Sequence, residues 1–413
     1  MCHIALESDM TIHVRRHTSI TEFDPEEWDG LLNDGAFYGS HSWLKAVEYH
    51  ETFKASYIAA RDDTGKLLGA LPLYTTSRTP TEHRFDPSVQ FQDAVSGNFF
   101  PATIVGLRAG YSTEFPLDQQ LPREMADAIL NSLVSTCVQS TLNDSGSFSL
   151  LYLKSATVAR LATVSTIPSC QVFNAPYAIL DVRWNDFDGY LSSQSSHRRR
   201  WMKQDIAAFE RSGCELGYSL LSECYAECAP LSAEVQSRYG AMDSVSVIEG
   251  RLAAQAAAMG ESAICILCRL NGDLVGFSLL YRWRNELYQR IVGFDYKRLP
   301  PDSRVYFTIM FYEPIRYAIA NMINVIDYGL ELGDAKVGRG CVLSPRWSIT
   351  YNTTSPDAQD KANKRNMAAR EQMTARYGGY SRALPATLWE SSGWQQLETL
   401  HTDQQKDGII HGR

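Results

Sequence analysis

Long apolar runs are missing from this chain of 413 residues. No stretch of about 18 apolar residues occurs, so a membrane-spanning helix is not expected. The opening residues MCHIALESDMTIHVRR lack the apolar core and small-residue cleavage site of a secretory leader, which points to a cytoplasmic protein. The nine cysteines are an odd number without framework spacing, so free thiols in a reducing compartment are expected. Histidine is as scarce, and none stands in a readable pattern with Cys or Ser. No G-x-S-x-G, P-loop or G-x-G-x-x-G motif is present, which removes the usual signatures of hydrolase, nucleotidase and dinucleotide chemistry. Excess positive charge is absent too. The formal net charge of −8 argues against general nucleic-acid affinity, and no DNA partner is expected.

Two cysteine pairs bear on metal binding. Cys224 and Cys228 in LSECYAECAPL are four apart, one face of a helix. Cys265 and Cys268 in AICILCRL are three apart in a strand-like run, hence on opposite faces. A closed zinc site needs about four convergent ligands, and no nearby His–Cys set supplies the rest. Core packing is the expectation, with no metal and no cofactor.

The hydrophobic share of 44% against 21% charged residues is globular composition, and the length favours two domains over one core. TIHVRR reads as a strand, and DPEEWDGLL as a helix opened by an N-cap Asp and an acidic first turn. KASYIAARDDTGKLLGALPLYTT reads as a hairpin, LPREMADAILNSLVSTCVQSTL as a helix and SFSLLYLKS as a strand. The pattern then restarts after about residue 185. Two helices precede ESAICILCRLNGDLVGFSLLYRWRNELYQRIVGFDYKR, three strands turned at NGD and WRNE. A helix and the strand NVIDYGL follow. This is a weak internal repeat, visible in pattern rather than in identity. It predicts an α+β fold of two units, each a mixed, mainly antiparallel sheet flanked by helices. The boundaries read 12–185, 186–385 and a tail 386–413.

The order of elements in NGDLVGFSLLY (271–281), GFDYKRLPPDSRVYFTIMFYEPIRYAIANMINVIDYG (293–329) and GDAKVGRG (333–340) resembles the GNAT superfamily of acyltransferases. The duplicated form is similar to the Fem-type (FemAB-like) aminoacyltransferases and their peptidoglycan-biosynthesis relatives. The likeness covers residues 15 to 350 and is fainter in the first half, where FYGSHSWLKAVE (37–48) carries it. It implies two tandem GNAT-like domains, the second catalytic, and a transferase that makes an amide bond. Acetyl-CoA users carry a glycine-rich turn whose amides cradle pyrophosphate at a helix N-terminus. The matching stretch here, KRLPPDSRVYFT, has two prolines and no glycine, and proline has no amide donor. In the Fem-type proteins it resembles, the donor is an aminoacyl-tRNA and this absence is expected. The resemblance therefore implies an aminoacyl-tRNA donor, with an amine-bearing small molecule, as in antibiotic-type biosynthesis, as acceptor. An acyl-CoA- or carrier-dependent N-acyltransferase and a peptidoglycan-precursor aminoacyltransferase are the alternatives.

Amide formation needs a neutral amine, a proton acceptor and oxyanion stabilisation. By the resemblance, the oxyanion lies near Tyr288 to Gly293, where central strands part. Asp334 is the candidate proton acceptor, and Lys336 matches the family's lysine; both are assigned as catalytic candidates. Arg339, Phe294, Asp295, Tyr296 and Tyr288 are candidates for substrate binding. The run His197, Arg198, Arg199, Arg200 and Lys203 opens a helix, where the dipole disfavours cations, and so fits RNA phosphates; a solvated helix face is the plain alternative. The second basic stretch, 361–382, has six Lys or Arg against one Glu and reads as an exposed helix.

Overall fold

The computed structural model describes residues 2–389, apart from 6–10, 50–51, 81–82, 96, 106–109, 144–145, 165–167, 241–242, 332, 352–356 and 381. Most of the expected tail, 390–413, therefore lies outside the described residues. The chain divides into two compact units, one of Met1–Tyr177 with Leu343–Arg413 and one of Ala178–Val342.

The first unit begins with β1 (Cys2–Ala5), β2 (Thr11–His17), β3 (Lys54–Arg61), β4 (Leu67–Thr76), β5 (Ala102–Val105) and β6 (Ser147–Lys154). Neighbours from β1 to β5 are antiparallel, and β5 pairs parallel with β6. β3 and β4 are apolar almost throughout because both of their faces are covered. The helix Arg123–Asn143 packs on β3, β4 and β6, and Phe23 and Trp28 pack against Tyr57 of β3. Pro25–Asp29 starts where the sequence placed it, with the Asp24 carboxylate accepting from the amides of Glu26 and Glu27.

β7 (Ser169–Asp181) leads into the second unit, followed by β8 (Cys214–Leu220), β9 (Ala263–Leu270), β10 (Asp273–Trp283), β11 (Glu286–Phe294) and β12 (Val325–Gly329). β8 to β11 are antiparallel neighbours, β11 pairs parallel with β12, and β12 pairs antiparallel with the end of β7. The β9–β10 turn has Asn271 at φ 53° and Gly272 at φ 87°, the pair of positive dihedrals that a two-residue hairpin turn demands. The helices Leu221–Arg238 and Val245–Met259 pack on each other, and the first of them also covers β9 to β11.

β13 (Val342–Tyr351) pairs antiparallel with β6, from Arg346↔Lys154 to Tyr351↔Phe148. That pairing places residues from 343 onward with the first unit, whereas the sequence reading carried the second domain on to 385. Each unit thus completes the same plan: antiparallel strands, one parallel pair, then a final antiparallel strand. The helix Ala358–Tyr377 follows, as the basic stretch predicted.

Candidate functional site

β11 and β12 share only three register positions, ending at Tyr288↔Asp327, yet β11 continues to Phe294. At the same point the β10–β11 register steps from Leu280↔Gln289 to Leu279↔Ile291, leaving Arg290 as an extra residue. Such a bulge bends a strand and raises its local twist. Beyond it, Gly293 lies close against the helix Leu221–Arg238. A Cβ there would meet the Phe277 ring at 2.2 Å and the Leu231 backbone carbon at 2.8 Å. β11 therefore runs tight against the helix past Tyr288, where its edge has no β12 residue opposite it among the described residues.

β12 ends in Tyr328 and Gly329, the latter at φ 64°, a conformation glycine adopts without penalty. Lys336 holds this end. Its buried ammonium donates to the Tyr328 carbonyl at 2.5 Å, to Gly329 O at 3.3 Å and to Leu330 O. The glycine-rich segment 333–340 contains a short helix, Gly333–Val337, with Asp334 exposed in its first turn and Lys336 turned inward.

Arg339 follows, 1% exposed, and is the centre of a polar and aromatic cluster. Its Nη2 donates to Asp205 Oδ2 at 3.0 Å and to the Tyr312 hydroxyl at 3.3 Å, and its Nη1 donates to Ala335 O at 3.1 Å. Tyr312 donates to the same Asp205 oxygen at 2.8 Å, and Arg304 Nε stands 3.6 Å from Asp205 Oδ1. One carboxylate thus faces two guanidinium groups, which leaves the cluster a net cation. Aromatic rings cage it: the guanidinium carbon is 3.9 Å from the Phe307 ring centre, 4.8 Å from Phe311 and 5.2 Å from Trp201. Arg339 Nε and the hydroxyls of Tyr306 and Tyr328 are buried with no hydrogen-bond partner among the described residues. Burial raises both tyrosines, Tyr306 to about 12, so each remains a neutral donor at neutral pH. Buried polar atoms without partners are uncommon, and each calls for an explanation beyond packing.

Several predicted residues meet here. Phe294 lies 5.6 Å from Tyr296 and 5.9 Å from Tyr306, which in turn touches Phe307 and Phe311 of the Arg339 cage. Tyr296 is also stacked under Arg238, 3.4 Å from its ring centre. Asp295 turns the chain out of β11, its carboxylate accepting from the amides of Lys297 and Arg298. Tyr288 lies outside this ring cluster, on β11 opposite Asp327, with its hydroxyl bonded to Glu286.

His197, Arg198, Arg199, Arg200 and Lys203 share the helix Ser196–Glu210, which Ser195 caps and whose first turn holds no acid. The same helix delivers Asp205 to Arg339 and presents Trp201, 40% exposed, against the Gly338 turn. Lys203 lines a cavity of about 440 Å³ together with Asp186, Phe187, Glu210 and Arg316. From the sequence Tyr306 and Tyr312 read equally as substrate border or as core, and Asp205, Trp201 and Tyr328 were not singled out. The one available signal was Asp205, a lone acid inside the basic helix RRRWMKQDIAAF.

A mixed sheet whose central parallel pair parts beside a basic, aromatic-lined cluster is the frame of a transferase of acyl or aminoacyl groups, and the comparisons agree. The chain matches the FemAB-like family, described as peptidoglycan biosynthesis/recognition, over residues 19–385, and it belongs to that family. No curated protein matches its sequence. It is similar in fold to FemX, with a TM-score of 0.54 at 11% identity, covering 80% of this chain and 96% of that one. It is also similar to the C-terminal domain of an Agrobacterium fabrum protein named as a lysylphosphatidylglycerol synthetase. There the TM-score is 0.53 at 10% identity, over 86% of this chain and 97% of that one.

Proposed function

We propose that the protein transfers an amino acid from aminoacyl-tRNA to the amine of a small acceptor, forming an amide bond, in specialised-metabolite biosynthesis. The observation that carries this reading is the helix Ser196–Glu210. Its cationic first turns lie on the same element as Asp205 and the exposed Trp201, and so adjoin the Arg339 cluster. Cations and an exposed aromatic ring on one surface suit a single-stranded acceptor end, which offers phosphates and stackable bases. In this reading His197, Arg198, Arg199, Arg200 and Lys203 hold phosphates, and the ester carbonyl sits where β11 leaves β12. Its developing oxyanion takes hydrogen bonds from the β11 edge.

Asp334, exposed in the first turn of its helix, takes the proton of the attacking amine. The amine nitrogen bonds to the ester carbon, the tRNA ribose oxygen leaves, and that oxygen regains a proton. Lys336 is a positioning residue whose three carbonyl contacts fix the end of β12. Arg339, Phe294, Asp295, Tyr296 and Tyr288 border the acceptor and the amino-acid side chain. A peptidoglycan precursor is the second reading for the acceptor, supported by the family's description.

The test incubates purified protein with bulk aminoacyl-tRNA carrying labelled amino acids and a pool of amines, with and without RNase. A parallel arm offers acetyl- and longer acyl-CoA. RNase-sensitive amide formation is the expected result, reduced by about 100-fold in Asp334→Ala. RNase-insensitive transfer from CoA would overturn the donor assignment. A muropeptide that outcompetes every small amine would move the acceptor to the second reading.

A further inference from the structure

On the helix Leu221–Arg238, Cys224 and Cys228 stand one turn apart, and Cys265 reaches them from β9 beneath. The three sulfur atoms all lie within 4.8 Å of one another, and the residues are 6%, 0% and 0% exposed. All three are free thiols. We propose that Cys224, Cys228 and Cys265 form a three-sulfur site for a thiophilic closed-shell metal ion.

With metal–sulfur bonds of about 2.3 Å, three sulfurs around one ion sit about 4 Å apart, so the trio needs little movement to close on it. No His, Asp or Glu joins the cluster among the described residues. Glu227, one residue from Cys228, is occupied at both oxygens by Arg269, each at 2.7 Å. An all-sulfur donor set excludes hard cations and selects Cu(I) or Zn(II). Cu(I) completes trigonal coordination with the protein sulfurs alone, which favours it. Zn(II) would take a fourth ligand from solvent beside Cys224, the least buried of the three. Each ligating thiol gives its proton to solvent and no electron is transferred. Arg269, within electrostatic range of Cys224 and Cys228, offsets part of the negative charge that results. The sequence concealed the third ligand because Cys265 comes from a strand remote from the helical pair. The ion would pin to β9 the same helix that packs close against β11 at Gly293.

The experiment titrates the reduced, metal-free full-length chain anaerobically with Cu(I) against a chromophoric chelator, and separately with Zn(II). X-ray absorption then counts the sulfurs on the loaded wild-type protein. The expected result is one Cu(I) per chain with three sulfur neighbours, and a melting temperature raised on loading. Cys228→Ser and Cys265→Ala should lose retention, as should Cys224→Ser at the more exposed corner, which tests the site if the buried variants misfold. Cys137→Ser, outside the cluster, should retain it. Retention of Zn(II) alone with the same cysteine dependence supports the site and makes zinc its ion. Neither ion retained, fewer than three sulfurs on copper, or retention unchanged in the cysteine variants would overturn the proposal.

Discussion

In the first unit Glu27 and Arg61 meet at 2.7 Å with 31% and 28% of their side chains in water; in the second, Asp205 and Arg339 meet at 3.0 Å with 2% and 1% exposed. The two units otherwise share a strand plan, and the first also buries a guanidinium, Arg346, over the Tyr177 ring at 3.9 Å, so the contrast is between a buried ion pair and a more exposed one. A half-exposed pair is weakened by solvent and contributes little. A buried pair incurs a desolvation cost that apolar residues of similar size would avoid. Under the proposed function, its presence beside the parting strands and the basic helix serves the site rather than folding. The connections differ in the same sense. β4 and β5 are joined by the long stretch 77–101, whereas β10 and β11 are joined by a tight turn at 284–285.

The largest expected effect tests that contrast directly. Asp205→Ala strands Arg339 and should lower stability by about 3–5 kcal/mol in equilibrium urea unfolding. Arg61→Ala in the first unit should lower it by about 1 kcal/mol. Equal losses would break the comparison. The double change Asp205→Leu with Arg339→Leu should recover much of the stability while abolishing transfer, which would separate site from scaffold. A smaller effect distinguishes the two basic helices. Replacing Arg199 and Arg200 by Ala should weaken tRNA binding and flatten its log–log salt dependence, by about 0.7 per lost phosphate contact on a single strand. Replacing Lys361 and Lys364 in the first unit should change neither, and a matching drop there would move the RNA surface.

The smallest effect lies in the first unit. Backbone hydrogen bonding from Thr18, with help from His17 and Ser19, holds the exposed Glu22 carboxyl at about 2, down from its ordinary 4.5. A depressed folded-state value stabilises fully above 4.5 and is lost as pH falls toward about 2. The stability gap between wild type and Glu22→Gln should therefore be present at neutral pH and close in acid. A gap independent of pH would show that the hydrogen bonds do not depend on the charge.

Much of the architecture was legible because it rests on local chemistry. The DDTG and NGD turns, the Asp24 cap and the apolar runs of β9 and β10 each announce themselves within a few residues, and the repeat follows from their order. Lys336 and Arg339 could be picked out as charges on a glycine-rich segment following a strand. Their surroundings could not, because the Tyr328 and Gly329 carbonyls become acceptors only when the chain turns back, and Asp205 arrives from a helix far away in sequence. The same holds for Cys265 joining Cys224 and Cys228.

By itself the sequence determined the element types, the hairpins, the two-fold plan and the basic helix, all set by interactions spanning a few residues. Tertiary structure alone decided that β13 pairs with β6, that Lys336 is enclosed by carbonyls, and that Arg339 shares a carboxylate with Tyr312 inside a ring of aromatics. The physical reason is that burying a charge depends on which remote groups converge on it, and periodicity along the chain does not encode that convergence.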